Sequence, residues 1–140
     1  MRTVFADAAY WIALLNPRDA LHHAALRVSE SLARTRIVTS ELVLVEVLNT
    51  LARYSGLRSK VAQTVRAIGD DPNCEVVPLS GAQFRQALEF YTSRLDKDWG
   101  LTDCASFVIM RDRGIVEALT HDHDFVQAGF RALLRDSGAR

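Results

Sequence analysis

Five acidic residues in this 140-residue chain stand in settings where carboxylates do more than solvate a surface. Asp7 directly follows the β-prone run Thr3-Val4-Phe5-Ala6, and Glu46 is embedded in Leu42-Val43-Leu44-Val45-Glu46-Val47-Leu48. Asp103 follows Thr102 where a helical stretch opens, and Asp122 and Asp124 lie in Thr120-His121-Asp122-His123-Asp124-Phe125. Taken singly, most have bland readings: Asp7 as a helix N-cap, Asp103 as a favourable charge at a helix N-terminus, Asp122 and Asp124 as a polar turn. Glu46 is different, because a carboxylate among apolar residues is costly unless it is paired or bound to a cation. With apolar residues on all sides of its helix, little solvent face is expected there. A functional Glu46 is therefore favoured over one that points outward or pairs with Arg53 or Arg66. Several such carboxylates at one place would repel unless neutralised, and a divalent cation is the simple solution. All-oxygen ligation selects Mg²⁺ or Mn²⁺ over zinc, and Mg²⁺ commonly takes phosphate oxygens of its substrate as further ligands. Such a site suits phosphodiester hydrolysis.

The elements that must carry these acids are legible as an alternation. Strands are expected at Thr3–Ala6, Ile37–Thr39, Glu75–Leu79 and Val116–Thr120, with a weak fifth over Phe130–Leu134. Helices are expected over Ala8–Leu15, Ala20–Arg34, Glu41–Tyr54 behind a Ser40 cap, and Leu57–Ile68. Two more follow, one from Ser80 through about Leu95 and one from Asp103 to Arg113 behind a Thr102 cap and ended by Gly114. Pro17, Pro72 and Pro78 fall where periodic segments end. The alternation predicts an α/β domain with a mainly parallel sheet and helices on both faces. In such sheets, sites form beyond the carboxyl ends of the strands, and the helices that follow strands begin at that same edge. The acids then converge: one after the first strand, one near the start of the helix after the second, one on the helix feeding the fourth, and two after the fourth.

Seventeen Lys and Arg balance seventeen Asp and Glu, so contact with nucleic acid must come from local patches rather than bulk charge. Hydrophobic residues make up 49% and charged residues 24%, a composition that argues against disorder and for one domain over residues 1–140. Cys74 and Cys104 make no C-x-x-C motif, and the longest apolar run, Ala8–Leu15, is far short of a membrane span. A reduced, cytoplasmic protein with no membrane association is expected. Neither a Walker loop nor a Rossmann glycine fingerprint is present. His121-Asp122 alone does not make an HD-type phosphohydrolase, whose all-helical fold the strand signals oppose. His121 and His123 have no Cys or His partner at zinc-ligand spacing. Tyr10 and Trp11 are expected in the core or a dimer contact, and Trp99 at the mouth of the site. Arg94, Lys97 and Arg111 are among the cations available to RNA.

Four blocks, taken in order, resemble the PIN-domain family: Val4-Phe5-Ala6-Asp7-Ala8, Thr39-Ser40 with Glu46 and Asn49, Leu101-Thr102-Asp103-Cys104, and Leu119-Thr120-His121-Asp122-His123-Asp124-Phe125. Within that family the chain is similar to the VapC-type toxins of bacterial toxin–antitoxin pairs. The resemblance spans nearly the whole chain, with successive intervals of 39, 57 and 19 residues between Asp7, Glu46, Asp103 and Asp122. It implies a three-layer α/β/α sandwich and Mg²⁺- or Mn²⁺-dependent endoribonuclease activity on RNA. It also implies a homodimer and a small antitoxin protein that inserts residues into the active site. Asp7, Glu46 and Asp103 match the family's three most constant acids. Asp122 aligns with the usual fourth, Asp124 occupies a position often filled by another polar residue, and either can complete a metal site. Thr102 matches a supporting hydroxyl position, and Asn49 is carried as a second supporting residue. The competing reading is a non-catalytic PIN-like module that binds RNA or a protein.

Overall fold

The computed structural model describes residues 1–138. In chain order the elements are β1 (Arg2–Ala6), α1 (Ala8–Leu15), α2 (His22–Glu30), β2 (Thr35–Ser40), α3 (Glu41–Leu51), α4 (Arg58–Asp70) and β3 (Cys74–Val77). They continue with α5 (Gly81–Ser93), α6 (Leu101–Arg113), β4 (Glu117–Leu119), α7 (His123–Gln127), β5 (Arg131–Ala132) and α8 (Leu133–Gly138). A short 3₁₀ turn over Ser55–Leu57 joins α3 to α4.

All strand pairings are parallel, in the order β3-β2-β1-β4-β5. The first strand is thus the central one, and Val4, Phe5 and Ala6 are completely buried, as a strand covered on both faces requires. Helices α1, α2, α3, α4 and α8 form one connected set of neighbours, and α5, α6 and α7 another, giving the α/β/α sandwich. Phe107 of α6 is a hub of the second layer. Its ring makes edge contacts with Phe125 at 4.9 Å and Trp99 at 5.0 Å. Among the described residues, no helix is long and apolar enough to cross a membrane.

Expected and observed elements agree best where the local signal was strongest. Helix α1 has the bounds read from the sequence, and Ser40 and Ser80 each cap the following helix by accepting a bond from the N–H three residues on. Gly114 closes α6 with φ +66°, which only glycine adopts without strain. Several expectations need correction, among them the third helix, which ends at Leu51 and not Tyr54, and the third strand, which is Cys74–Val77 and not Glu75–Leu79. The second helix ends at Glu30, not Arg34, because the chain turns into β2 through Arg34 at φ +61°. Helix α6 begins at Leu101 with Gly100 as its cap, so Thr102 lies inside the first turn. The fourth strand is only Glu117–Leu119, with Val116 exposed. The expected fifth strand shrinks to Arg131–Ala132, because Leu133 already starts α8.

Candidate active site

The strand order decides where a site can form. The chain builds outward from β1 to β2 and β3, then crosses to β4 on the other side of β1. That reversal leaves a crevice beyond the carboxyl ends of β1 and β4. Asp7 leaves β1 there, its N–H donating to Leu119 O of β4 at 3.2 Å. Asp7 occupies the N-cap position of α1 but makes no side-chain cap. Instead its Oδ2 accepts a bond from Thr120 Oγ1 at 2.9 Å. The same hydroxyl oxygen accepts the Asp122 N–H at 3.1 Å, and Asp122 Oδ1 accepts the Asp124 N–H at 2.9 Å, capping α7. An unbroken run of hydrogen bonds therefore ties the exit of β1 to the first turn of α7. The polar-turn reading of Asp122 describes one of its oxygens, and the other is left for the crevice.

Asp103 enters from the second helical layer. As the third residue of α6 it accepts a bond from the Gly100 N–H, as an acid at this helical position often does. Its carboxyl lies beside that of Asp124. Asp103, Asp122 and Asp124 are all partly buried, and each offers an oxygen within 4.8 Å of the others.

The electrostatics reflect this crowding. Burial, reinforced by Asp7, Asp122 and Asp124, pushes the Asp103 carboxyl up to about 7. Burial raises Asp7 to about 6 against the opposing bonds from Thr120 and the Ala8 N–H, with Glu46 and Asp122 adding to the rise. Asp124 is raised by desolvation and then by Asp122 and Asp98. Glu46 is raised by desolvation and then by Asp122. Glu46 is an exposed residue, so water screens much of this effect, and its shift carries less weight than that of buried Asp7.

That exposure corrects the sequence reading of α3. Val43, Leu44, Val47 and Leu51 form its buried stripe, while Val45 and Leu48 face solvent beside Glu46. The helix has apolar residues all round, yet its main packing is on α1, α4 and β2, and Val45 and Leu48 are left uncovered. Glu46 does point outward, over the rim of the crevice, and it forms no ion pair with Arg53 or Arg66. Arg53 turns to the Tyr54 hydroxyl at 2.9 Å. Asn49 is exposed one turn beyond Glu46, and Thr102 is half-buried beside Asp103. Among the described residues neither side chain hydrogen-bonds an acid. Asp96 is held by Arg94 and Lys97, whereas the charge of Asp98 is felt at Asp124. Trp99 does not line the mouth: it is buried, donates from Nε1 to Gln127 Oε1 at 3.2 Å, and packs on Phe107. Tyr10 and Trp11 are core residues.

The sequence reading passed over Thr120, which is fully buried and holds Asp7 and Asp122 together. The signal was a hydroxyl residue two positions before an aspartate at a strand exit, a common local turn. Thr39 has a parallel role, donating to Ala6 O at 2.8 Å and accepting the Trp11 indole N–H at 3.3 Å behind Asp7.

The donor set fits a hard divalent cation. It is all oxygen, and among the described residues it meets no lysine or arginine ion pair, only His123 acting on Asp124. Asp103, Asp122 and Asp124, each with an oxygen within 4.8 Å of the others, are close enough to share one small cation. Asp7 and Glu46 stand outside the tight trio but are coupled to it through Asp122.

Comparison with known proteins agrees with this architecture. The PIN-domain family model matches residues 4–131. The chain is 33% identical over 127 residues to the 23S rRNA-specific endonuclease VapC20 of Mycobacterium tuberculosis, covering 91% of this chain and 95% of that protein. The crystal structure of M. tuberculosis VapC20, described as a sarcin–ricin loop cleaving toxin, superposes with TM-score 0.79 at 32% identity over 91% and 95% of the two chains. The structure of Rickettsia felis VapBC2 bound to a DNA fragment from its promoter shares the fold, with TM-score 0.67 at 13% identity over 93% and 96%. The chain belongs to the PIN-domain family, and within it to the VapC-type ribonuclease toxins.

Proposed function

We propose that this chain is an endoribonuclease that hydrolyses RNA phosphodiester bonds with Mg²⁺ or Mn²⁺ and acts as the toxin of a toxin–antitoxin pair. The single observation that carries this reading is the set of mutually repelling carboxylates at the topological switch point. It occurs in a chain similar over nearly its full length to an rRNA endonuclease. Asp7, Glu46, Asp103 and Asp122, with Asp124 beside them, would hold the cation. Bound there, the cation supplies a Lewis acid that neutralises charge at the scissile phosphate and acidifies an attacking water.

The chain's own residues do the positioning. Thr120 fixes the orientation of Asp7, and Asp122 is locked by capping α7. Asp103 and Asp124 are both raised by burial and by neighbouring carboxylates, so they would give up protons on holding a cation. Thr102 and Asn49 remain supporting residues at the rim. The protein is read as one PIN domain working in the cytoplasm. A homodimer is supported by exposed Phe84, Leu88 and Tyr91 on α5 and by Val45 and Leu48 on α3. A small antitoxin protein is the expected inhibitor.

The test is cleavage of an end-labelled RNA panel, including the sarcin–ricin loop, with Mg²⁺, with Mn²⁺ and with chelator, wild type beside Glu46→Gln. Metal-dependent cuts that vanish in the variant, with thermal stability equal or higher, support the reading. Cuts that persist in the variant point to a contaminating nuclease, and no cuts at all favour the binding module.

A further inference from the structure

A cavity of about 350 Å³ opens between α5, α6 and α7. It lies at the lower end of the roughly 300–1,000 Å³ range of ligand pockets. Half-buried Phe90 gives it an accessible aromatic face, backed by the buried rings of Trp99 and Phe107, with Phe90 and Trp99 stacked at 6.1 Å between ring centres. Its rim is cationic. The Arg94 guanidinium sits 5.1 Å from the Trp99 ring centre and that of Arg111 sits 5.2 Å from Phe90. Arg94 is neutralised by Asp96 at 3.0 Å, whereas Arg111 meets no carboxylate among the described residues.

The position of this cavity matters as much as its lining. Asp103, Phe107 and Arg111 follow one another at four-residue intervals, so they lie along one face of α6. At 1.5 Å rise per residue, Arg111 stands about 12 Å along the helix from Asp103, with the aromatic wall between them. On α7, Gln127 lines the same cavity three residues after Asp124. We infer that this cavity receives one nucleotide of the RNA strand next to the bond being cut, with its base against the aromatic wall and its phosphate on Arg111. The chemistry matches a nucleotide because one ligand must offer both a flat π-face and an anion. A plain anion would leave the aromatic wall unused, and an apolar ligand would leave Arg111 unused. The inference rests on the nuclease reading above for its place on the strand, but the binding event itself needs no turnover.

The two tryptophans make the test direct. With chelator present, the four nucleoside monophosphates are titrated while the indole N–H signals of Trp99 and Trp11 are followed by NMR. The expected result is a saturable shift of the Trp99 signal with at least one nucleotide, while Trp11, buried behind β2, stays still. Arg111→Ala should weaken that binding about tenfold, and Arg111→Lys should restore part of it. In cleavage, Arg111→Ala should raise KM more than it lowers kcat. No movement of Trp99 at about 10 mM of any nucleotide, or unchanged binding in Arg111→Ala, overturns the inference. A peptide carrying aromatic and acidic side chains that shifts Trp99 where nucleotides do not would also overturn it, reassigning the cavity to a protein partner. If nucleotides bind but no RNA is cut, the nuclease reading fails and the cavity assignment survives. If RNA is cut but no nucleotide binds, the cavity assignment alone fails.

Discussion

The two ends of the sheet treat the same functional group in opposite ways. At the amino end, Glu117 lies between Arg2 and Arg131, and Glu75 lies between Arg36 and Arg113. At the carboxyl end, Asp7, Glu46, Asp103, Asp122 and Asp124 form no ion pair with a lysine or arginine among the described residues and face one another instead. The consequence shows in their proton affinities. The Arg113 and Arg36 bonds hold Glu75 below the usual glutamate value, whereas burial and like charge push Asp7 to about 6 and Asp103 to about 7. Both sets of acids gather at an end of the same sheet, so the difference lies in the partners supplied. The amino end pairs its acids with arginines, and the carboxyl end leaves like charges together, as a cation-binding site requires.

The sharpest way to break this contrast is to remove a charge from each end in turn. Asp103→Asn should lower RNA cleavage about a hundredfold or more, measured on the end-labelled panel, with the circular dichroism spectrum unchanged. If activity survives, the cluster is not the reaction centre. Glu75→Gln should leave cleavage unchanged.

Adding the cation tests the same contrast through stability. Mg²⁺ at about a hundred times its dissociation constant should stabilise the protein by about 2.7 kcal/mol. That should be read as a clear rise in the thermal midpoint, reversed by chelator. Asp103→Asn should lose most of the rise and Glu75→Gln none of it. An equal rise in both variants would place the ion elsewhere.

A smaller effect concerns pH without metal. Asp7 and Asp103 bind protons more tightly when folded than when unfolded, so between about pH 4 and pH 7 the folded state holds more protons. Stability contributed by these two groups is therefore full below pH 4 and is lost as pH rises through 6 and 7. Denaturant midpoints at a series of pH values should fall across that window. Asp7→Asn should flatten the slope and gain on the order of 1–2 kcal/mol at neutral pH, since an amide oxygen still accepts the Thr120 hydroxyl. A slope unchanged in this variant would mean that Asp7 ionises freely.

The smallest effect belongs to the amino end. Glu75 has a lowered affinity for its proton, so its contribution is present above the unfolded glutamate value and fades as pH falls below it. Its arginine contacts are largely solvent-exposed, and Glu75→Gln should cost no more than about 1 kcal/mol in urea unfolding at neutral pH. A loss several times larger would make this cluster a keystone of the sheet.

Much of this arrangement can be read along the chain. The five acids stand out by residue type and by their place after strands or in early helical turns, and α1 has the bounds its apolar run and Asn16-Pro17 dictate. Local caps at Ser40 and Ser80 were equally legible, because capping is a short-range contact between a side chain and a backbone three residues on. Glu46 and Trp99 were misread for one reason: each was assigned an exposure from neighbours in sequence, whereas exposure depends on which layer covers the helix. Helix α3 has one uncovered apolar side, and Trp99 is packed between Phe90 of α5, Phe107 of α6 and Gln127 of α7.

What the sequence by itself determined is the inventory: which carboxylates exist, the parallel α/β alternation that sends them to one edge, and the membership of the family. Only the tertiary structure decided which of them meet. Strand order placed β1 beside β4, so that the Thr120 hydroxyl could reach across 113 residues to Asp7, and the start of α6 came to rest against that of α7. Pairing across such separations depends on how sheets and layers pack, and no local propensity encodes it.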